Sequence, residues 1–259
     1  MTTDPATLDL PLTPPPSGQV LHQSDRATVI WGDCRDPAVI AQVPDGYGLL
    51  CTDPPYGVNW QSSYSRNFTP IEGDNGNVHW PMVLRLWTLR LKASRHVYVF
   101  GYSGDQLADP LRLGPTAELI WDKMMHGLGN LEVPWAVAHE KITFGVSTLN
   151  PKHGGSKRKG ALTARLRQGT ILRVPRPNAS GVTRHPTEKP VVLMAQLVES
   201  SSMRGDLVVD PCAGSGSTGV AAILEGRRCF LVEYDRGYAE LAVKRVRAAE
   251  RIADQIAAA

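Results

Sequence analysis

The chain has 259 residues, of which 42% are hydrophobic and 20% charged, a composition typical of a soluble α/β protein. No apolar run approaches the roughly 20 residues that span a bilayer. Residues 1–18 have early acids and clustered prolines instead of the basic and apolar regions of a signal peptide. The four cysteines are far apart and show no metal spacing with one another or with the seven histidines. We therefore expect reduced thiols, no metal site and a cytoplasmic location.

The net charge of +3 conceals an uneven distribution along the chain. Residues 141–187 contain ten Lys or Arg and no Asp or Glu, which leaves 18 basic and 25 acidic residues elsewhere. A basic segment on an acidic body predicts one region that contacts a polyanion. The alternative is a solvated basic loop without a partner.

Apolar runs that suit strands alternate with periodic segments that suit helices. Residues 1–24 are expected to form a flexible, proline-rich arm. Strands are predicted at residues 27–31, 48–52, 96–100, 118–122, 141–145, 171–174, 207–209 and 229–232. Helices are predicted at residues 37–43, 79–92, 103–113, 190–201, 218–225 and 238–257. This alternation predicts a doubly wound, mostly parallel sheet, formed by residues 25–145 and 171–259 with a short basic recognition region at 146–170.

The first candidate site is the sequence Asp53-Pro54-Pro55-Tyr56, which follows an apolar strand. Proline donates no backbone hydrogen bond and holds the preceding residue extended, so the strand ends in a rigid tip. Its carboxylate, free carbonyls and ring suit an amino group attached to a flat ring, although a plain strand-to-turn transition is the alternative. The polar stretch at 57–77 that follows is long enough to predict a mobile lid, with three interleaved aromatic residues, Trp60, Tyr64 and Phe68.

The second candidate site is a glycine loop between a buried strand and a helix. Gly214, Gly216 and Gly219 have the G-x-G-x-x-G spacing, and Glu233 ends the next strand 19 residues after Gly214. This pattern indicates a cofactor that contains a nucleoside, and the loop alone fits a dinucleotide and S-adenosylmethionine about equally. Asp210, directly before the loop, favours the methyl donor because a carboxylate suits a cationic amino group better than a pyrophosphate.

Taken together, these residues resemble the DNA amino-methyltransferases, which methylate exocyclic nitrogens of adenine or cytosine with S-adenosylmethionine. The resemblance covers roughly residues 27–245. The catalytic tetrapeptide precedes the cofactor loop with a basic region between them, an order similar to the permuted beta class. Three lesser matches are Gly32-Asp33-Cys34, the stretch from His139 to Phe144, and the stretch from His185 to Pro190.

The resemblance implies a seven-stranded Rossmann-like sheet and a role for each matching residue. Asp53, Pro54, Pro55 and Tyr56 would be catalytic, with Asp53 and the Pro54 carbonyl accepting the amine hydrogens and Tyr56 stacking on a flipped base. The implied cofactor residues are Asp33, Cys34, Asp53, Lys189, Asp210, Pro211, Ala213, Gly214, Ser215, Gly216, Ser217, Thr218, Glu233 and Tyr234. The candidate DNA contacts are Lys157, Arg158, Lys159, Arg165, Arg167 and Arg173. Aspartate rather than serine at position 53 favours adenine N6 over cytosine N4.

Several alternatives stay open on the sequence alone. Asp33 is also explained as a helix cap, His185 and Lys189 as turn residues, and Glu140 as a structural residue. An RNA or free-base methyltransferase, an NAD-dependent oxidoreductase and a nucleic-acid-binding module are rival functions, although the intact Asp53 and Asp210 argue against the last. Double-stranded DNA is the expected partner, and a homodimer and a cognate restriction endonuclease of a restriction-modification pair are open.

Overall fold

The computed structural model describes residues 17–57, 72–125, 132–148, 168–177 and 188–258. Within these ranges the strands are β1 (Gln19–Gln23), β2 (Ala27–Trp31), β3 (Tyr47–Thr52), β4 (Leu91–Phe100), β5 (Leu113–Asp122), β6 (His139–Ser147), β7 (Ile171–Arg173), β8 (Leu207–Asp210) and β9 (Arg228–Glu233). The helices are α1 (Pro37–Ile40), α2 (Trp80–Thr88), α3 (Gly104–Leu107), α4 (Val191–Ser201), α5 (Ser217–Leu224) and α6 (Arg236–Ala258). None of these helices combines the length and the apolar composition needed to cross a bilayer.

All of these strands join one sheet in the order β1-β2-β9-β8-β3-β4-β6-β5-β7. The strands from β2 to β4 in this order are parallel, whereas β6 is antiparallel to both of its neighbours. The predicted mostly parallel α/β sheet is confirmed. The described sheet has nine strands rather than seven because short strands extend both edges, β1 beside β2 and β7 beside β5.

Strand β1 corrects the predicted N-terminal arm, because residues 19–23 are ordered against β2 instead of forming part of a flexible segment. Its sequence, Gln-Val-Leu-His-Gln, has too little apolar alternation to indicate a strand. Long-range contacts hold it: β1 pairs antiparallel with β2, and His22 Nε2 lies 3.0 Å from Glu250 Oε2 on α6. Residues 1–16 of the predicted arm lie outside the described residues.

Helices cover both faces of the sheet, as the doubly wound prediction requires. Alternate residues of β3 serve the two faces: Leu49 and Cys51 belong to the core under α4, α5 and α6, whereas Leu50 belongs to the core under α1 and α2. All six residues of β3 are buried, which explains why the strand is apolar without polar alternation. The site-bearing strands are therefore fixed from both sides.

Two predicted helices are shorter in the structure than expected. The helix predicted at 79–92 is α2, which ends at Thr88 before β4 begins at Leu91. The helix predicted at 103–113 is reduced to α3, a single turn that ends well before β5. Pairing of β4 within the sheet overrides the helical periodicity at the end of the first stretch.

Candidate active site

The carboxyl ends of the parallel strands form one edge of the sheet, and the predicted acidic residues lie along it. Glu233 and Asp210 are the last residues of β9 and β8, and Asp53 directly follows β3. Asp33 comes two residues after β2. Sites in open α/β sheets form at such edges, so the structure brings the two candidate sites together. Strand β6 is antiparallel to β4, which places its first residues, including Glu140, at the same edge.

Asp53 is held in a partly buried cluster of charged and polar groups. Its Oδ1 accepts a hydrogen bond from the Tyr56 hydroxyl at 2.5 Å, and its Oδ2 accepts one from Lys189 Nζ at 2.5 Å. Lys189 Nζ also lies 2.9 Å from Glu140 Oε1, and the Tyr56 hydroxyl lies 2.7 Å from that oxygen. Glu140 Oε2 is 3.1 Å from Lys123 Nζ at the end of β5. The cluster therefore joins the end of β3, the start of β6 and the stretch leading into α4.

Burial and pairing oppose each other in this cluster. The pKa of Asp53 is raised overall, because the effect of burial outweighs the opposing effect of the adjacent Lys189 ammonium. Burial alone would raise the pKa of Glu140 as well, but Lys189 and Lys123 bring it down to about 2. Burial would also lower the pKa of Lys189, and the two carboxylates raise it overall. Lys189 thus stays cationic and Glu140 anionic around Asp53.

Lys189 was predicted to bind the cofactor, a role that stays a prediction; the structure places its side chain between two carboxylates. Its side chain is only 8% exposed, and its ammonium is directed at Asp53 and Glu140. The alternative of a simple turn residue does not explain this burial. Glu140, which sequence reasoning treated as structural, belongs to the candidate site. No local pattern marks it, because its partners Tyr56 and Lys189 are far from it in the chain.

The Tyr56 ring rests on the backbone at the end of β4. Gly101 has φ of +76°, and a Cβ there would lie 2.1 Å from Tyr56 Cε1. The next residue, Tyr102, donates from its hydroxyl to the Pro55 carbonyl at 2.7 Å and meets the Tyr56 ring edge-to-face at 6.2 Å. These contacts hold the proline-containing tip in a single conformation.

Two glycines of the loop lie where the backbone packs closely against neighbouring elements. Gly216 has φ of +82° at the start of α5, and a Cβ there would lie 2.9 Å from the Cβ of Ala242 on α6. A Cβ at Gly219 would lie 2.6 Å from Leu231 Cδ1, so α5 packs closely on β9 only with glycine at this position. Gly214 donates its backbone N–H to Glu233 Oε2 at 2.7 Å, which joins the loop to the end of β9.

Two carboxylates, the buried Asp210 and the half-buried Glu233, flank this loop without a basic partner among the described residues. Asp210 accepts hydrogen bonds from the Thr218 hydroxyl at 2.6 Å and from the Cys212 backbone at 3.1 Å. Glu233 accepts backbone bonds from Gly214 and from Asp235, the latter at 2.8 Å. Burial raises the pKa of Asp210 to about 6 and that of Glu233 to about 7. Carboxylates in this state favour a ligand that brings positive charge and hydroxyl donors.

Asp33 and Tyr234 form the corner of the site at the end of β2. Asp33 holds Arg35 through two parallel hydrogen bonds of 2.8 and 2.7 Å, and the Arg35 guanidinium lies 5.8 Å from the centre of the Tyr234 ring. Asp33 does not cap α1; Asp36 does, by accepting from the Ala38 backbone at 2.8 Å. The capping alternative for Asp33 is therefore wrong.

The remaining loop residues differ in what they contact. Cys34 and Cys212 lie with their Sγ atoms 4.0 Å apart as free thiols, and Pro211 and Ala213 are beside them in the loop. Ser215 donates to Glu188 Oε2 at 3.0 Å and accepts from Arg245 at 2.6 Å, and Arg245 also reaches the hydroxyl of Ser217 at 3.4 Å. Arg245 and Glu188 thus hold the loop through hydrogen bonds to its serine hydroxyls. Their positions in the sequence do not indicate this role.

Most of the predicted DNA contacts lie outside the described residues, as do the lid aromatics and His185. These residues are Lys157, Arg158, Lys159, Arg165, Arg167, Trp60, Tyr64 and Phe68. Arg173 ends β7, which is parallel to β5, and its side chain is 69% exposed at the same edge as Asp53. Its Nε lies 3.6 Å from Asp122 Oδ2. The structure thus places one of the predicted basic contacts at the sheet edge that carries Asp53, called the catalytic edge below.

Comparisons with known proteins agree with this arrangement. The family model N6_N4_Mtase, described as DNA methylase, matches residues 120–244. Type II methyltransferase M2.MboI of Moraxella bovis is 31% identical over 115 residues, which are 43% of this chain and 38% of that protein. Type II methyltransferase M.HinfI of Haemophilus influenzae is 24% identical over 249 residues, which are 85% of this chain and 68% of that protein.

Two solved structures share the fold at identities too low to show more than that. PvuII DNA methyltransferase, described as cytosine-N4-specific, has a TM-score of 0.64 at 16% identity. The alignment covers 92% of this chain and 96% of the PvuII chain. TTHA0409 of Thermus thermophilus, in complex with S-adenosyl-L-methionine, has a TM-score of 0.55 at 22% identity, with coverages of 84% and 92%.

The strand order and the structural neighbours define a Rossmann-like methyltransferase fold. The DNA methylase match over residues 120–244 and the type II methyltransferase relatives show that the chain is similar to the N6/N4 family of DNA amino-methyltransferases. Its assignment to the permuted beta class stays a prediction.

Proposed function

We propose that the protein transfers a methyl group from S-adenosylmethionine to the exocyclic N6 of an adenine flipped out of double-stranded DNA. The observation that carries this proposal is the adjacency of the two sites. Strand β3 pairs directly with β8, so the Asp53 carboxylate and the glycine loop after Asp210 leave the sheet side by side. An acceptor for amine hydrogens thus stands beside a loop suited to a methyl donor.

An exocyclic amine is a poor nucleophile because its lone pair is delocalised into the ring. In the proposed reaction the Asp53 carboxylate and the Pro54 carbonyl accept the two amine hydrogens, which directs the nitrogen lone pair towards the methyl group. Tyr56 stacks on the flipped base. Positioning and electrostatics carry most of the catalysis because the methyl group arrives already activated.

The residues around the glycine loop fit S-adenosylmethionine. Asp210 is buried and Glu233 half-buried, and neither has a basic partner in the described part of the chain, which suits the cationic amino group and the ribose hydroxyls of this cofactor. Glycine at positions 216 and 219 lets α5 begin close against α6 and β9, which holds the start of α5 beside the end of β8. When bound, the cofactor supplies a methyl group on a sulfonium.

We expect cofactor affinity to depend on pH between about 5 and 8. The pKa values of Asp210 and Glu233 are raised to about 6 and about 7, and a cationic, hydroxyl-bearing ligand favours their ionised forms. Binding therefore releases protons, and the affinity should fall by up to about tenfold per pH unit for each of the two groups as the pH drops below its pKa. Calorimetry of S-adenosylhomocysteine binding from pH 5.5 to 8.5 measures this dependence.

The matched variant for this measurement is Glu233→Gln, which keeps the shape of the side chain but cannot ionise. Its affinity should be lower at pH 8 and should lose the part of the pH dependence centred near 7. A wild-type affinity that is constant from pH 5.5 to 8.5 would contradict the assigned cofactor site.

Adenine is favoured over cytosine because position 53 is aspartate rather than serine, within the resemblance described above. Cytosine N4 is the alternative target, favoured by the fold shared with the cytosine-N4-specific PvuII enzyme. RNA is a more distant alternative. Sequencing of DNA from cells that express the protein, with detection of modified bases, should reveal N6-methyladenine at a defined sequence. Methylated cytosine, or methylated RNA with unmodified DNA, would overturn the proposal.

The DNA-binding surface is proposed to extend from the catalytic edge into the basic segment at 146–170. Arg173 supports this direction, since it lies exposed at that edge. A flipped base requires a duplex gripped through its phosphates, and clustered cations supply such contacts. The cytoplasmic location, a homodimer, a cognate restriction endonuclease and the recognition region itself stay predictions.

A further inference from the structure

Two residues outside the tetrapeptide, Lys189 and Glu140, contact Asp53 and its partner Tyr56. The inference drawn from these contacts rests on the proposed function. We propose that Lys189 and Glu140 are positioning residues for the reaction. Lys189 holds Asp53 Oδ2 and keeps the carboxylate ionised, while Glu140 accepts the Tyr56 hydroxyl hydrogen and so leaves Asp53 Oδ1 for the target amine.

The first step of the argument concerns the hydrogen of Tyr56. A phenol has one hydrogen to donate, yet the Tyr56 oxygen lies 2.5 Å from Asp53 Oδ1 and 2.7 Å from Glu140 Oε1. The hydroxyl therefore bonds one carboxylate at a time. When an amine hydrogen arrives at Asp53 Oδ1, Glu140 provides an acceptor already within reach, so Tyr56 keeps a partner and its ring stays in place.

The second step concerns charge. Burial disfavours an ionised Asp53, and the nearby Glu140 carboxylate disfavours it further. The Lys189 ammonium, at 2.5 Å, opposes both effects and is itself balanced by Glu140 at 2.9 Å. A lone buried lysine would repel a sulfonium ligand, so the Lys189–Glu140 pair stabilises the Asp53 anion without leaving uncompensated positive charge.

The groups that face Asp53 come from several elements and must all be considered in a titration. Lys189 precedes α4, Glu140 belongs to β6, and Tyr56 lies on the same tip as Asp53. Lys123 acts through Glu140 from the end of β5. Asp210 at the end of β8 and Cys51 within β3 also interact electrostatically with Asp53. Of these groups, only Lys189 contacts Asp53 as a cation.

The direct test is the titration of the Asp53 carboxyl group by carbon NMR in the cofactor-free protein. The Asp53 resonance is identified by its loss in Asp53→Asn. Lys189→Met should raise the pKa of Asp53 by about one to three units because it removes the adjacent positive charge, and Glu140→Gln should lower it because it removes a like charge. Lys189→Arg should restore most of the wild-type value.

The same variants should move the pH profile of methyl transfer to DNA under single-turnover conditions. Asp53 acts as an anion, so transfer is lost as the pH falls through its pKa. The acid limb should therefore shift to higher pH in Lys189→Met and to lower pH in Glu140→Gln. At the optimum pH, Glu140→Leu, which removes the acceptor oxygen that glutamine would keep, should slow transfer about tenfold, because Tyr56 then competes with the amine for Asp53, with the affinity for S-adenosylhomocysteine unchanged.

The control is Glu118→Gln on β5. It removes an exposed ion pair with Lys141 on β6, the strand that also carries Glu140, in which Lys141 Nζ lies 3.2 Å from Glu118 Oε2. It should leave both the titration and the pH profile as in the wild type. An unchanged Asp53 titration in both Lys189→Met and Glu140→Gln would overturn the inference, as would a Lys189→Met variant impaired only in cofactor binding. A wild-type protein that transfers no methyl group to DNA would instead refute the proposed function, because the carboxyl titration does not depend on activity.

Discussion

Replacing Asp53 with alanine should reduce methyl transfer by about 10²- to 10³-fold, the scale seen when a group that stabilises a transition state is removed. The carboxylate is the only acidic group of the tetrapeptide, and Lys189 and Tyr56 direct both of its oxygens. Affinity for S-adenosylhomocysteine should change little, because Asp210, Glu233 and the glycine loop hold their geometry without Asp53. Radiolabelled methyl transfer and calorimetry measure the two quantities on the same preparation.

The fold should survive this change, since Lys189 keeps Glu140 as its counter-ion at 2.9 Å. Asp53→Asn tests the charge separately from the shape: it retains an acceptor oxygen but carries no negative charge, so it should be similarly inactive. Substantial transfer by either variant would mean that Asp53 does not act on the target amine.

Replacing Gly101 with alanine should displace the Tyr56 ring and slow methyl transfer by about 10²-fold, the effect expected of a misplacement near 1 Å. The new Cβ would lie 2.1 Å from Tyr56 Cε1 and within 2.5 Å of two further ring atoms. Tyr56 would then lose its bonds to Asp53 and Glu140, and the base would lose its stacking partner. A crystal structure of the variant and its single-turnover rate are the measurements.

Gly205→Ala provides a matched control for this substitution. Gly205 has φ of +82°, close to the +76° of Gly101, but a Cβ there would have no atom within 4 Å. Both variants therefore carry the backbone strain of alanine in the left-handed region, and only one carries the clash with Tyr56. Equal rates in the two variants would show that the contact with Tyr56 does not matter to catalysis.

The parts of the site that depend on local chemistry were predictable from the sequence. The prolines after Asp53 end β3 through their own backbone geometry, and the glycine spacing after Asp210 reflects close approaches at Gly216 and Gly219. Each signal lies within a few residues of the structure that it specifies. The mostly parallel sheet was predictable for the same reason, because its central strands are continuous apolar runs.

The parts that depend on distant contacts were not predictable. Lys189 meets Asp53 across 136 positions of the chain, and Glu140 meets Tyr56 across 84. Lysine before a helix and glutamate near the start of a strand are common surface patterns, so neither residue indicates burial in the sequence. Strand β1 likewise depends on β2 and on α6, and its own five residues have little strand character.

The most direct test of the central claim is analysis of the nucleosides of double-stranded DNA after incubation with the purified protein and labelled S-adenosylmethionine. The account predicts label in N6-methyldeoxyadenosine with the wild type and none with Asp53→Ala. Label in N4-methyldeoxycytidine, or equal labelling by the two proteins, would contradict it.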